Sequence, residues 1–547
     1  MHRCSRLLAA VALAFLLRGS YAVNVSLPIT SPSGTQPLAR TLVSFSIEQD
    51  RWPDWSGVDS RNEFTHSALT ALQELTGEPP KIRIGADSED HTFWSPTVTI
   101  NEDEFPPANT ITPYPEATHI TVGDAYYQLS RFLPRGTHVT WGINFGADNV
   151  TNAVNMAKAI VRAFQTAAVK ASGVILDLVE VGNEADLYSN NGLRPRNFTV
   201  NDYVPDWISI AGPAVEAAGI DGPDGPVTVQ GAAFAGQGFT PTEIFNLGIL
   251  DSAPGKAITQ ISQHRYSAAF CQGGDFPLTS FLNKQYIRGN LSVFEADIAE
   301  THSRGLTYVL GAALVRMLKR DGSETNSIAC HGAPGVSNTA GAALWTIDYT
   351  LQAATLGIKE LFFHEGVGYK YNFIQPVSLN RSTIDGSPLD PPSLPHIQPP
   401  FYAALVVNTA IGGTGASRLV ELAVGDANVS GYAVFEAGLL VRAVFVNLHA
   451  WLASSTGARP AVHVDLDFAL GGGATQGELD AFWGREATAR RLVIGHADDV
   501  ANLTWAGQSY ENGGVAPTGR VAAERIKLSE GFDIRSTEAV LVDFVTL

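Results

Sequence analysis

Lysine and arginine are in short supply in this chain: 36 against 54 aspartates and glutamates, for a formal net charge of −18. A surface this acidic argues against nucleic acid and anionic membrane as partners, because both would repel it. It leaves an acidic sugar open as substrate, since a local pocket can oppose the global field. Long apolar runs are scarce too. The one near the start, Leu7–Leu17, is too short to cross a bilayer, and no later stretch reaches the ~18 uncharged apolar residues that a span needs. No internal repeat or low-complexity tract stands out. Cysteine is nearly absent, with 3 in 547 residues.

Residues 1–22 read as a secretory leader: His2, Arg3 and Arg6, then the apolar run, then Ser20-Tyr21-Ala22 as a small-residue cleavage site. The expected mature protein is extracellular, and it becomes more acidic once Arg3, Arg6 and Arg18 leave. Cys4 would leave as well. Cys271 and Cys330 are then expected to pair in an oxidising compartment, with two buried free thiols as the alternative. Seven Asn-x-Ser/Thr sequons (Asn24, Asn149, Asn197, Asn290, Asn380, Asn428, Asn502) suit a secreted glycoprotein, although so short a motif also arises by chance.

The length exceeds one ordinary domain and the texture changes once. After an extended segment, 23–40, residues 41–387 alternate short apolar runs with helical stretches, as a parallel βαβ architecture does. The runs are Leu42–Ile47, Lys81–Ile84, His138–Asn144, Val174–Val181, Val227–Ala233, Ile258–His264, Leu306–Leu310 and Lys359–Phe363. That number predicts an α/β fold of the closed (β/α)8 TIM-barrel kind. A Pro-rich stretch, 388–400, reads as a linker. Residues 401–547 then carry near-alternating runs such as Leu439–Asn447 and Ala539–Phe544, typical of an antiparallel β-sandwich. Asn24–Leu27 is a candidate extra strand for that second domain.

The fourth run leads directly into Val181-Gly182-Asn183-Glu184. An amide and a carboxyl side by side at the C-terminal end of a barrel strand lie where barrel chemistry sits. This is the acid/base arrangement of retaining glycosidases, with Glu184 protonating the leaving oxygen and Asn183 holding a sugar hydroxyl. A lone Asn-Glu is more often just a polar strand end. A retaining enzyme also needs a second carboxylate about 5–5.5 Å away as nucleophile. Glu324 and Glu365 are the candidates near the seventh and eighth strands, and either also reads as an ordinary loop carboxylate.

Further motifs then line up in order: Phe45-Ser46-Ile47-Glu48, Arg83-Ile84-Gly85, His264-Arg265-Tyr266, Glu324-Thr325-Asn326-Ser327, Gly332-Ala333-Pro334-Gly335, Ala343-Leu344-Trp345 and Gly366-Val367-Gly368-Tyr369. Over residues 40–375 the chain resembles glycoside hydrolase family 79, in its fungal β-glucuronidase branch, relatives of heparanase among the retaining (β/α)8 glycosidases. The resemblance implies Glu324 as nucleophile, Glu184 as acid/base and Asn183 on the 2-hydroxyl. It implies Tyr266 as the group that orients the nucleophile, with strand-end packing the plainer reading for Tyr266 and His264. It implies that Gly332, Gly368 and Tyr369 hold the sugar carboxylate through backbone amides and a hydroxyl. Lys370 reads as facing solvent. Glu48 and Asp87, at the ends of the first two strands, would accept from sugar hydroxyls or play a structural part. No cofactor or metal is implied, and the partner is a glucuronic-acid-containing glycan.

One stretch departs from the family pattern. Residues 312–323 intervene between the seventh strand and Glu324, where the two should adjoin. Two explanations stand: a surface excursion, or retained non-coding sequence in the gene model. The function expected is a secreted retaining exo-β-glucuronidase. The rivals are an endo-acting, heparanase-like enzyme and a catalytically silent carbohydrate-binding barrel.

Overall fold

The computed structural model describes residues 20–236, 238–313, 326–469, 477 and 486–544. The eight apolar runs become eight parallel strands: β1 Val43–Glu48, β2 Ile82–Gly85, β3 His138–Ile143, β4 Ile175–Val181, β5 Thr228–Phe234, β6 Ile258–Ala269, β7 Thr307–Ala313 and β8 Leu361–Glu365. Sequential strands pair, with Phe45 beside Ile82 and His138 beside Ile175. β8 returns to β1 through Leu361 and Val43, and β5 joins β6 through Val229 and Ile258. The sheet is therefore a closed (β/α)8 barrel. A parallel sheet covered on both faces has no solvent side, which is why these strands read as continuous apolar runs rather than alternating ones.

Beyond the eight, the short strand Asn326–Ala329 pairs with the far end of β6, Tyr266 beside Asn326. That partner lets β6 run several residues past the expected His264. β7 likewise continues to Ala313, two residues into the departing stretch.

Residues 388–400 are not a linker. Pro388–Ser393 pairs with Leu379–Arg381, and His396–Ile397 pairs with Ile374–Gln375. Pro399 and Pro400 then open the helix Pro399–Ile411, where their fixed φ is preorganised and no N–H is needed. This helix packs on Ala340–Thr355 and on Glu63–Thr76, so it belongs to the barrel, and the boundary falls after Ile411. A proline cluster looks like a break in sequence, whereas here it sits at short strand pairs and a helix start.

The second domain is a sandwich. One sheet runs through Arg418–Leu422, Val429–Glu436, Leu439–Asn447, Glu538–Asp543 and Glu486–Val493, all antiparallel. The other holds Ser20–Pro28, Ala461–Ala469 and Phe532–Arg535. Val25, Leu27, Phe445, Val464, Phe532 and Val540 fill the space between them. Ser20–Pro28 runs parallel to Ala461–Ala469, a departure from the all-antiparallel expectation. That strand includes Ser20, Tyr21 and Ala22; the rest of the expected leader, 1–19, lies outside the described residues. Among the described residues, no helix is long and apolar enough to cross a membrane.

Arg288 ties the domains together. Its guanidinium meets Asp348 on the barrel helix and Glu421 and Tyr432 on the sandwich, with Nη2 2.7 Å from Glu421 Oε1 and 2.8 Å from the Tyr432 hydroxyl. Cys271 and Cys330 form a disulfide with 5.1 Å between Cα atoms, linking the segment after β6 to the segment after Asn326–Ala329. Asn290 is a sequon only by chance: it is buried and accepts a 2.7 Å hydrogen bond from Arg265.

Candidate active site

The C-terminal ends of β1, β2, β4, β6 and β8 bring most of the singled-out residues to one mouth. β4 ends on Gly182, whose φ is +85° and whose hydrogen faces the Phe145 ring; a Cβ there would collide with it. That close approach needs glycine. The turn continues into Glu184, itself left-handed at φ 50°, ψ 47°, a conformation that costs a non-glycine residue energy and gathers at functional sites. The Glu184 amide is held by Ala233 O at 2.8 Å on β5. Asn183 Oδ1 accepts from Arg83 Nη2 at 2.8 Å, so the amide has one orientation fixed from β2.

Glu184 Oε1 lies 3.0 Å from His264 Nδ1. Both side chains are almost fully buried. The contact has ion-pair geometry, but burial, and then the nearby Arg83 charge, hold His264 well below its usual pKa. We treat the contact as a hydrogen bond to neutral imidazole, because protonating a buried ring beside a guanidinium is costly.

Glu48 ends β1 and is buried. Its Oε2 accepts from the Ser88 amide at 3.0 Å, and its Oε1 lies 3.2 Å from His364 Nε2. Burial, then Asp50, Glu116 and Asp87, push this carboxyl well above its usual range, while burial and Arg83 push His364 well below. Asp87 opens the turn Asp87–His91, stays about one-third exposed and stands 3.7 Å from His91.

Tyr266 and Tyr371 are buried with their hydroxyls 3.0 Å apart, and burial, then Tyr371 and then the nearby Glu184 charge, push Tyr266 well above its usual pKa. Tyr369 stacks on His331 with centroids 3.8 Å apart and donates to Glu116 Oε1 at 2.7 Å. His331 Nε2 reaches the same oxygen. Burial opposes ionisation of Glu116, yet His331 and Tyr369 together hold it down at about 2. Sequence reasoning missed Glu116. It sits in an irregular excursion after β2, with no motif around it.

Three expectations change here. Gly368 does not present its amide to the mouth: that N–H goes to Gln375 Oε1 at 3.0 Å, and glycine is required because the Tyr114 ring fills the Cβ position at φ +78°. Lys370 does not face solvent. It is buried, donates to Ile111 O at 3.1 Å, and its pKa falls to about 8 through burial. Glu365, the rival nucleophile, points into its own loop, accepting from Phe373 N at 2.9 Å and Ile374 N at 3.2 Å. Gly332 lies against Ser337 and Lys370 at φ +82°. Glu324 lies outside the described residues, as does most of the departing stretch, 314–323. Its flanks are informative: Ala313 pairs with Arg265 and Asn326 with Tyr266, consecutive positions of β6.

The C-terminal domain matches the model of the glycosyl hydrolase family 79 C-terminal beta domain over residues 431–541. Over nearly the whole chain, two curated fungal proteins are similar. A beta-glucuronidase of Aspergillus niger is 26% identical across 90% of this chain and 87% of its own, and one of Neurospora crassa is 25% identical across 92% and 90%.

The C-terminal domain is that of glycoside hydrolase family 79.

The fold of the whole chain has solved counterparts. A 4-O-α-L-rhamnosyl-β-D-glucuronidase from Fusarium oxysporum, solved with Rha-GlcA, superposes with a TM-score of 0.74 at 20% identity, covering 95% of this chain and all of that one. A family 51 α-L-arabinofuranosidase from Bifidobacterium longum shares the architecture more distantly, with a TM-score of 0.55 at 13% identity. Asn183, Glu184, His264, Glu48 and Tyr266 converge on the mouth of this barrel.

Proposed function

We propose that the protein is a secreted retaining exo-β-glucuronidase that removes terminal β-linked glucuronic acid from glycans. The observation that carries this is the Asn183–Glu184 pair at the end of β4, with Glu184 held by His264 at 3.0 Å. Glu324 attacks the anomeric carbon while Glu184 protonates the leaving oxygen. Glu184 then takes a proton from water as that water cleaves the glycosyl-enzyme. A neutral His264 suits this cycle, since it shares a hydrogen bond with either protonation state of Glu184.

Ala313 and Asn326 pair with consecutive positions of β6. Glu324 precedes Asn326 by two residues, and Asn326 is anchored by Nδ2 to His364 O and Tyr371 O at 3.2 and 3.3 Å. For the sugar carboxylate we assign the backbone amides of Gly332 and Tyr369, with Glu48 and Asp87 accepting from hydroxyls. Exo action is supported by the excursion after β2, which reaches over the mouth to the β8 loop through Lys370–Ile111, Tyr369–Glu116 and Tyr114–Arg381 contacts. A wall on that side would block a chain interior and admit a chain end.

Turnover of 4-nitrophenyl β-D-glucuronide by the wild type, lost in Glu184→Ala and Glu324→Ala, tests the assignment. Release of monosaccharide alone from oligosaccharides tests exo action, and internal fragments would favour the endo reading. Glucuronide binding without turnover would favour the silent barrel.

A further inference from the structure

Beneath the mouth lies a buried polar cluster that the reaction scheme does not use. Arg83 on β2 directs Nε to Glu180 Oε1 at 2.7 Å, Nη1 to Ser46 at 3.0 Å and Nη2 to Asn183 Oδ1 at 2.8 Å. Glu180 is on β4, four residues before Glu184. Its other oxygen accepts from Gln230 Nε2 on β5, and Gln230 in turn accepts from Gln260 on β6. Glu89 stands 3.6 Å from the same guanidinium, in space that exists only because Gly85 and Gly142 have no Cβ.

We propose that Glu180 is a positioning residue: acting through Arg83, it sets the orientation of the Asn183 amide and the positive charge felt at Glu184. The inference rests on the glycosidase reading of that pair. A guanidinium has five donors in one plane and no freedom to share them once one edge is fixed. Glu180 fixes the Nε edge, so Nη2 is aimed at the carbonyl end of Asn183 and the NH₂ end turns away from Arg83. An amide so oriented donates to a sugar 2-oxygen, a contact that strengthens in the oxocarbenium-like transition state. Among the described residues the following groups face this pair. Glu180 faces Arg83, Glu89 and the two glutamines; Glu184 faces His264 and Tyr266, and Glu48 and His364 lie beyond. Burial and the Glu180 charge push Glu89 well above its usual range, and of the two carboxyls it is Glu180 that lies in direct hydrogen-bond contact with Arg83.

Kinetics and structure of Glu180→Gln test this, on 4-nitrophenyl β-D-glucuronide with full-length protein. The expected result is kcat down about 10- to 100-fold with KM changed less than about threefold, the signature of a misoriented transition-state contact. The alkaline limb of the kcat profile should move to lower pH, because an unbalanced Arg83 favours ionised Glu184. Glu89 can take up part of the lost charge by ionising, so the double variant Glu180→Gln/Glu89→Gln should move the limb further. A folded Glu180→Gln that keeps both kcat and the limb, or loses only KM, overturns the proposal. Should that variant fail to fold, Glu180→Asp keeps the charge and withdraws it from Arg83; reduced kcat with an unmoved limb supports the role, and unchanged kcat overturns it. A crystal structure of the folded variant needs no substrate. An Arg83–Asn183 separation beyond about 3.5 Å is expected, and an unchanged contact would sink the idea. If the wild type hydrolyses no glucuronide, the functional reading fails while this crystallographic arm still decides the role of Glu180.

Discussion

His264 Nδ1 stands 3.0 Å from Glu184 Oε1, in a contact that brings the sixth strand to bear on the carboxyl that ends the fourth. Because burial keeps the imidazole neutral, the contact orients Glu184 without fixing its charge. An acid/base group must change protonation within each cycle, and a permanently cationic neighbour would lock it as carboxylate.

Replacing His264 with Ala should therefore lower kcat by about 10- to 100-fold, within the range of a mispositioned acid/base catalyst. The pH limbs should stay near their wild-type positions, since no titrating group is lost. Loss of a limb, measured in the kcat profile, would mean that His264 itself titrates in the working range.

Much of this was legible in the sequence. The barrel strands were visible because a doubly covered parallel sheet leaves apolar runs, and Asn183-Glu184 because it follows one of them. Glu116, Asp50 and the burial of Lys370 were not legible. They depend on an excursion after β2 that folds across the mouth, and nothing local in residues 95–118 states where it lands. The Pro-rich stretch misled for a related reason: proline marks both linkers and helix starts, and only the partner surface decides.

The Cys271–Cys330 bond closes a loop with a sequence separation of 59. Loop-closure entropy for that length amounts to about 4 kcal/mol in the unfolded chain. Cys271→Ser/Cys330→Ser should unfold at lower urea by a corresponding margin. It should also lose activity before it unfolds, because Cys330 adjoins His331 and Gly332. Equal retention of activity and fold would show that the bond is not needed to hold that loop.

Lys370 predicts a stability rise in alkali. Its folded pKa is about 8, lowered from 10.5 by burial, so the unfolded chain binds more protons between those values. Stability linked to this group is then lowest below pH 8 and grows as pH rises toward 10.5, by up to about 3 kcal/mol. Lys370→Met should abolish that slope. Urea unfolding at pH 7.5 and 10 on both proteins measures it, and a wild type that weakens relative to the variant over that interval contradicts the assignment.

Glu365 supplies the sharpest separation between the two nucleophile candidates. Its carboxyl accepts from the amides of Phe373 and Ile374 and is turned into its loop, and burial pushes it well above the usual range against the pull of those amides. Both oxygens accept from backbone amides, so a Gln there would set its NH₂ against one of those N–H donors. Glu365→Gln should therefore lose about 1–3 kcal/mol of stability, since one buried N–H loses its acceptor, while the folded enzyme keeps kcat within about twofold. Glu324→Gln should instead remove nucleophilic turnover by several orders of magnitude, and azide should restore it with inverted product, as an external nucleophile does when the enzymic carboxylate is gone. If azide rescues Glu365→Gln and leaves Glu324→Gln inert, the roles are exchanged, and the departing stretch 312–323 has carried Glu324 away from the reaction.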